Sequence, residues 1–167
     1  EEIHAAGIIV ADLNETNLLV SDGFQDLFFS DVASWQTRHH PATAVMDGIR
    51  DRHAPVGRFS EETDWFAFAI VAFQLLSSIH PYKGLHTAIK GLDARMKANE
   101  SVFSPEVSVP ACCTPAERLP EPLRSWLRDV LQHGHRGPPP DGRMKAPTPA
   151  AVRTASAAGR IRSELLA

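Results

Sequence analysis

A continuous apolar stretch in the middle of the chain is the clearest feature of its hydrophobic pattern. Residues 65–79 carry almost no polar side chain on any face. Before them come Ser60, a residue type that caps helix N-termini, and acidic residues that suit a first helical turn. A helix that is apolar all round belongs in the centre of a core. The pattern therefore predicts a buried central helix that ends at His80-Pro81, because proline cannot donate a hydrogen bond into a helix.

Downstream of this stretch, helical spacing predicts a second helix clearly. Pro122 stands at a first-turn position, Gly134 follows the expected end, and apolar residues between them recur at i, i+3, i+4, i+7 and i+8. These apolar residues are Leu123, Trp126, Leu127, Val130 and Leu131. A more polar helix is predicted over residues 86–99, a surface connection over 101–120, and an alanine-rich helix over 148–166.

Two short apolar runs nearer the N-terminus predict a β-hairpin. The dipeptide Asp22-Gly23 stands between them, and it is a strong hairpin signal because glycine tolerates positive φ. We expect antiparallel strands at roughly 17–21 and 26–30. Residues 31–60 show no sustained period, which predicts a long irregular segment of the kind that carries function inside a compact domain.

Composition and charge are typical of a single globular domain. The chain has 167 residues, of which 43% are apolar and 22% charged, and its formal net charge is -3. It has 17 basic residues against 20 acidic ones and no long block of either sign, so a nucleic-acid partner is not expected. The longest apolar run, residues 65–76, is about half as long as a membrane span, so no membrane partner is expected either.

Cysteine and histidine content bears on the compartment and on zinc. Cys112 and Cys113 are adjacent and cannot build a disulfide framework, and the N-terminal residues lack the pattern of a signal peptide. We therefore expect a reducing, cytoplasmic setting. The eight histidines have no acidic or cysteine partner at ligand spacing, so zinc is not expected.

Three polar residues flank the predicted hairpin. Asp12 and Asn17 lie in the polar loop before it, and Asp31 follows its second strand. Because a hairpin brings the outer ends of its strands to one edge, these side chains are expected to lie together. Their oxygens suit Mg²⁺, and a carboxylate nearby can accept a proton from a hydroxyl nucleophile. The alternative is that all three are ordinary turn residues.

These residues belong to a longer resemblance to protein kinases. Asp12-Leu13-x-x-x-Asn17 resembles the D-L-x-x-x-N part of the kinase catalytic loop, and Asp31-Val32-Ala33 lies where the family has D-F-G. Three further segments resemble, in the family's order, the start of the central helix, the turn after it, and an element whose arginine anchors the activation segment. They are Asp64-Trp65-Phe66-Ala67-Phe68-Ala69, His80-Pro81-Tyr82-Lys83-Gly84 and Pro140-Asp141-Gly142-Arg143.

The resemblance implies an α+β, mainly α-helical fold. It is that of a protein kinase C-terminal lobe, with a short β-hairpin beside the catalytic loop and a buried central helix. Residues 1–155 would form this partial kinase domain, and residues 156–167 a tail or the end of the last helix. Because no G-x-G-x-x-G is present and all four lysines follow the catalytic loop, we expect the N-terminal lobe to be absent from this chain.

The same resemblance implies a role for each site residue. Asp12 would be the catalytic base, while Asn17 and Asp31 would hold Mg²⁺ and, through it, ATP. Asp64 would brace the catalytic loop through backbone N–H groups. Arg143 would anchor the end of the activation segment.

Departures from the family pattern leave more than one function open. Val10-Ala11 replace the usual His-Arg, Asn14 replaces a lysine, and Asp51 is expected to pair with Arg143 because no A-P-E is present. The first hypothesis is a kinase that transfers the γ-phosphate of ATP to Ser/Thr hydroxyls of a protein substrate, with the missing lobe as a partner. The alternatives are an inactive pseudokinase that binds a partner protein and, less favoured, a small-molecule phosphotransferase.

Overall fold

The computed structural model describes residues 1–23 and 25–140, and its elements follow an α+β order. The helices are α1 (Glu2–Ala5), α2 (Glu61–Ser77), α3 (Leu92–Lys97) and α4 (Glu121–Leu131). The strands are β1 (Leu18–Val20), β2 (Leu27–Phe29), β3 (Leu85–His86) and β4 (Val107–Ser108). Short 3₁₀ turns occur at Glu15–Asn17, Asp47–Ile49 and Ala116–Arg118. None of the helices in this described part is long and apolar enough to cross a lipid bilayer.

The central helix α2 forms the middle of the core. The Ser60 backbone N–H donates to Thr63 Oγ1 at 2.9 Å and so satisfies one of the free groups at the helix start. Its buried residues face several directions and include Phe66, Ala67, Ala69, Ile70, Val71 and Phe73. Ser78, in the left-handed conformation at φ 58, ends the helix. The prediction of a buried central helix is confirmed.

Helix α4 packs one face against α2. Its buried residues are Trp126, Leu127, Val130 and Leu131, as the spacing predicts. At its C-terminal end the Leu131 carbonyl accepts a 2.6 Å hydrogen bond from the Tyr82 hydroxyl, which burial keeps neutral by raising its pKa. The turn after α2 is therefore fastened to the end of α4.

The predicted hairpin is confirmed in type and nearly in extent. Strands β1 and β2 are antiparallel, and Leu18 pairs with Phe29 in register. The Phe29 ring packs edge-on against Trp35, with ring centroids 5.2 Å apart. Leu19 and Phe28, on the opposite face, are exposed, and so are Val20 and Leu27 at the tip end of the hairpin.

Two predictions for the second half of the chain are wrong in detail. The helix expected over residues 86–99 is restricted to α3, because His86 belongs to β3 and its Nδ1 accepts the backbone N–H groups of Ala88 and Ile89, which hold the chain in a turn. The expected surface connection over residues 101–120 contains β4 and buries Ser101, Ser104 and Leu119. The helix expected over 148–166 and the boundary at 155 lie outside the described residues.

His80 connects the end of α2 to the irregular segment. Its Nε2 lies 2.9 Å from the Gly48 carbonyl oxygen, and its Nδ1 accepts the Tyr82 backbone N–H at 3.2 Å. The ring is therefore neutral with its proton on Nε2, and burial lowers the pKa of His80 from its ordinary value of 6.5.

We expect His80 to make the fold less stable in mild acid. The unfolded chain binds a proton at His80 as the pH falls through 6.5, whereas the folded chain binds it only at lower pH. The stabilisation is therefore complete above 6.5 and is lost progressively below it. Urea unfolding at a series of pH values should show this loss, and His80→Gln should weaken the pH dependence. The exposed-residue control His39→Gln should leave it unchanged, and an equal effect of both variants would contradict the assignment.

Candidate functional site

The loop that carries Asp12, residues 10–17, is held by a buried carboxylate of α2. Asp64 is only 2% exposed, and it accepts the backbone N–H groups of Val10 and Ala11 at 2.7 and 2.8 Å. His4 Nε2 lies 2.9 Å from the same carboxylate. A buried carboxylate needs such partners because an unpaired charge in the core is very costly. The first turn of the central helix thereby positions the loop.

The hydrogen bonds to Asp64 hold Ala11 in an unfavourable backbone conformation. Its φ is 61°, a left-handed conformation that costs a residue with a Cβ about 1–2 kcal/mol. The charge-assisted hydrogen bonds from Ala11 and Val10 to Asp64 stabilise the loop in this strained conformation.

The side chain of Asn14 fixes the next turn of the loop by hydrogen bonds. The side chain is buried, and its Oδ1 accepts the Thr16 backbone N–H at 2.9 Å and the Thr16 hydroxyl at 2.5 Å. This is the local Asx geometry that caps the 3₁₀ turn Glu15–Asn17. The residue that stands where kinases often have a lysine is therefore a structural residue of the loop.

Asp12 and Asn17 are brought together, as expected. Asn17 Nδ2 donates to the Asp12 carbonyl at 3.1 Å and lies 3.4 Å from Asp12 Oδ2. Asp12 Oδ1 accepts the backbone N–H of Met46 at 2.7 Å. This last contact fastens the irregular segment to the loop, and nothing in the sequence pattern marks it, because a backbone donor can come from any residue.

Asp31 lies at the end of the hairpin, close to Asn17 in the strand register. The Ser30 N–H donates to the Asn17 carbonyl at 3.0 Å, so Asp31 is one residue beyond a cross-strand partner of Asn17. Asp31 is exposed, and its Oδ1 accepts the Ala33 N–H at 3.0 Å. In the described part of the chain its side chain forms no hydrogen bond with Asp12 or Asn17.

Asn17 and Asp31 each keep one side-chain oxygen that accepts no hydrogen bond from the described residues, and Mg²⁺ prefers oxygen ligands of this kind. Asn17 uses its amide nitrogen and Asp31 one carboxylate oxygen, so no hydrogen bond among the described residues occupies Asn17 Oδ1 or Asp31 Oδ2. Residues 1–23 and 25–140 contain no cluster of three or more His, Cys, Asp or Glu side chains that could hold a metal. Asn17 Oδ1 and Asp31 Oδ2 are oxygen donors of the type that Mg²⁺ takes together with phosphate and water, and their assignment to Mg²⁺ stays a prediction.

Asp51, which is expected from the sequence to pair with Arg143, is bound by Arg136. Arg136 Nε and Nη2 donate to the two Asp51 oxygens at 2.7 and 3.2 Å, and its guanidinium lies 4.3 Å from the centre of the Phe66 ring. The chain reverses at Gly134, where φ is 82°, and this brings Arg136 back onto Asp51. Arg143 itself lies outside the described residues.

No protein-family model matches the sequence, and no curated protein matches it. Among solved structures, the kinase PK-1 of Cydia pomonella granulovirus matches 78% of this chain with a TM-score of 0.55 and 16% identity. The ROP18 kinase domain in complex with AMP-PNP and sucrose also matches 78%, with a TM-score of 0.50 and 18% identity. The chain has a protein-kinase-like fold.

The kinase-like fold confirms the coarse part of the sequence prediction. At these identities the likeness shows the fold alone, so the roles of Asp12, Asn17 and Asp31 stay predictions. The matched region is 46% of the viral kinase chain and 31% of the ROP18 chain, so this chain spans less than half of either.

Proposed function

We propose that this chain is the C-terminal lobe of a protein kinase and that, completed by an N-terminal lobe, it transfers the γ-phosphate of ATP to Ser/Thr hydroxyls of a protein. The observation that carries the proposal is the bracing of the Asp12 loop by Asp64 within a kinase-like fold. This bracing positions the Asp12 carboxylate next to the Asn17 amide at the base of the hairpin, and phosphoryl transfer depends on such fixed positions.

In this proposal each residue of the loop has one task. Asp12 Oδ1 is held by the Met46 N–H, which leaves Oδ2 to accept the proton of the substrate hydroxyl. As that proton moves, the hydroxyl oxygen bonds to the γ-phosphorus and the bond to the ADP oxygen breaks. Asn17 Oδ1 and the Asp31 carboxylate would hold Mg²⁺, which when bound neutralises charge on the phosphates.

The hydrogen bond from the Met46 N–H to Asp12 supports a kinase that is active without phosphorylation of its irregular segment, residues 31–60. Kinases with His-Arg before the catalytic aspartate can pair that arginine with a phosphorylated residue, and here Ala11 cannot. The irregular segment is instead tied to Asp12 by a backbone hydrogen bond. We infer that the order of this segment does not depend on phosphorylation.

A second candidate is a pseudokinase that binds a partner protein. It is favoured by Asn14, which is buried in the loop and places no cation near the phosphates. The two candidates differ in one measurement, namely transfer of ³²P from γ-labelled ATP to a protein substrate by this lobe joined to its N-terminal lobe. Label in phosphoserine or phosphothreonine supports the kinase, and nucleotide or partner binding without label supports the pseudokinase.

We expect the 167-residue chain alone to bind Mg-ATP too weakly to raise its melting temperature. In this fold ATP is held from above by a glycine-rich loop and a lysine of the N-terminal lobe, and from below by the Mg²⁺ ligands. Ligand at a hundredfold excess over its dissociation constant would add roughly 2.7 kcal/mol of stability, which thermal unfolding detects readily. A Mg²⁺-dependent shift at millimolar ATP that disappears in Asp31→Ala would show that this lobe binds nucleotide unaided.

A further inference from the structure

A cavity of about 360 Å³ lies beside α3 and shares no lining residue with the site described above. We call it the α3 cavity; its wall consists of residues 82–86, residues 89–92 and Arg95. Lys83, Lys90 and Arg95 are cations, and none of these lining residues is acidic. The charge of the wall therefore favours an anion.

Arg95 is a buried cation of this wall with hydrogen-bond donors that are not used. It is 2% exposed, and its Nε donates to the backbone carbonyl of Glu100. Nη1 and Nη2 have no hydrogen-bond partner among the described residues, and Nη2 is fully enclosed. A guanidinium carries five N–H donors and no acceptor, so most of its hydrogen-bonding capacity is unused. Burial lowers the pKa of Arg95, and an oxyanion in the cavity would offset that cost.

Asp93, on α3, is engaged with cations outside the cavity. Its Oδ1 lies 2.8 Å from Arg52 Nε, and its Oδ2 lies 2.8 Å from Lys97 Nζ. It forms no ion pair with the three cations of the α3 cavity.

Glu100 lies beside His86, a residue of the cavity wall. Its Oε1 lies 3.5 Å from Nε2 of His86, whose Nδ1 accepts two backbone N–H groups, so that Nε2 carries the proton. Among the described residues no carboxylate forms an ion pair with Lys83, Lys90 or Arg95. The charge of Glu100 does act on Arg95, but the wall has three cations, so its net charge stays positive.

The wall of the cavity is also held in place. Lys90 Nζ donates to the His86 carbonyl at 2.9 Å, which leaves two of its N–H donors for a ligand. Gly84 adopts a φ of 96°, and a Cβ there would lie 2.8 Å from the Ser108 carbonyl oxygen, so this edge packs closely on β4. Of the two lysine donors, Lys90 is therefore held in place before a ligand arrives.

We propose that the α3 cavity binds a phosphate group, either as free inorganic phosphate or as the monoester of a phosphorylated side chain. The ammonium groups of Lys83 and Lys90 supply the charge-assisted hydrogen bonds that suit a tetrahedral dianion, and the enclosed guanidinium of Arg95 adds positive charge behind them. The site does not depend on phosphotransfer, so its test is independent of the proposed function.

Calorimetric titration of the full chain with sodium phosphate, against sodium chloride at equal ionic strength, tests the proposal directly. We expect saturable phosphate binding that Lys83→Gln and Lys90→Gln each weaken by about tenfold, the loss of one charge-assisted hydrogen bond. The matched control is Lys97→Gln, which removes the same charge from α3 without touching the cavity. Lys83 and Lys90 are exposed, so their variants should fold even if Arg95→Gln does not.

The source of the phosphate group is decided by a second titration, with O-phosphoserine and with serine. Phosphoserine that binds more tightly than inorganic phosphate assigns the cavity to phosphorylated side chains, and the reverse order assigns it to the free ion. Absence of saturable binding of both compounds, or an equal loss in Lys97→Gln, would overturn the proposal.

Discussion

Replacing Asp12 with alanine is expected to reduce phosphotransfer by about a hundredfold to ten thousandfold in the two-lobed protein while leaving Mg-ATP binding unchanged. The reason lies in the position of this carboxylate. One oxygen is fixed by the Met46 N–H, and the other faces Asn17 and remains available to the hydroxyl that attacks. Because the proton is accepted only as the reaction proceeds, the loss should be in kcat and not in nucleotide affinity.

Asp31→Ala should abolish phosphotransfer by a different route. Asp31 lies at the hairpin edge with one carboxylate oxygen not engaged by any described residue, and in the proposed function this oxygen would hold Mg²⁺. Its removal should therefore weaken Mg-ATP binding as well as turnover, and a higher Mg²⁺ concentration should recover part of the activity.

Kinetics and nucleotide titration on the same preparations separate the two variants. The matched control is Asp22→Ala, which removes an exposed carboxylate from the tip of the same hairpin and should change neither quantity. Normal turnover by Asp12→Ala would remove Asp12 from the role of base. Equal nucleotide affinity of Asp31→Ala and the parent would remove Asp31 from the metal site.

The elements that the sequence predicts well are those whose signals are local. Helices α2 and α4 follow from apolar runs and spacing, and the hairpin follows from Asp22-Gly23. The helix over residues 86–99 is too long in the prediction because composition does not reveal that the His86 ring can accept two backbone N–H groups and hold a turn.

The parts of the site that the sequence does not predict depend on contacts between distant segments. Met46 reaches Asp12 through its backbone, and His4 reaches Asp64 from the first helix. The sequence motif points to Arg143 and does not reveal Arg136, because it is the chain reversal at Gly134 that brings Arg136 onto Asp51.

Arg136→Ala is expected to lower the free energy of unfolding by about 3–5 kcal/mol, a large part of the stability of a domain of this size. Asp51 is 6% exposed and both of its oxygens accept hydrogen bonds from Arg136, so removal of the arginine leaves an unpaired carboxylate in the core. The Phe66 ring also loses the guanidinium that lies over its face. Arg136→Lys should recover little, since an ammonium provides neither the paired donors nor the flat surface.

Urea unfolding of Arg136→Ala, Asp51→Ala and the double variant measures this coupling. The double variant should lose less free energy of unfolding than the sum of the losses of the two single variants. The reason is that each single variant leaves one unpaired charge in the core, whereas the double variant leaves none. Arg118→Ala, at an exposed position without an ion pair among the described residues, is the control and should cost less than about 0.5 kcal/mol. If Arg136→Ala cost no more than this control, Asp51 would not depend on Arg136, and the anchor between the irregular segment and the end of α4 would have to be sought elsewhere.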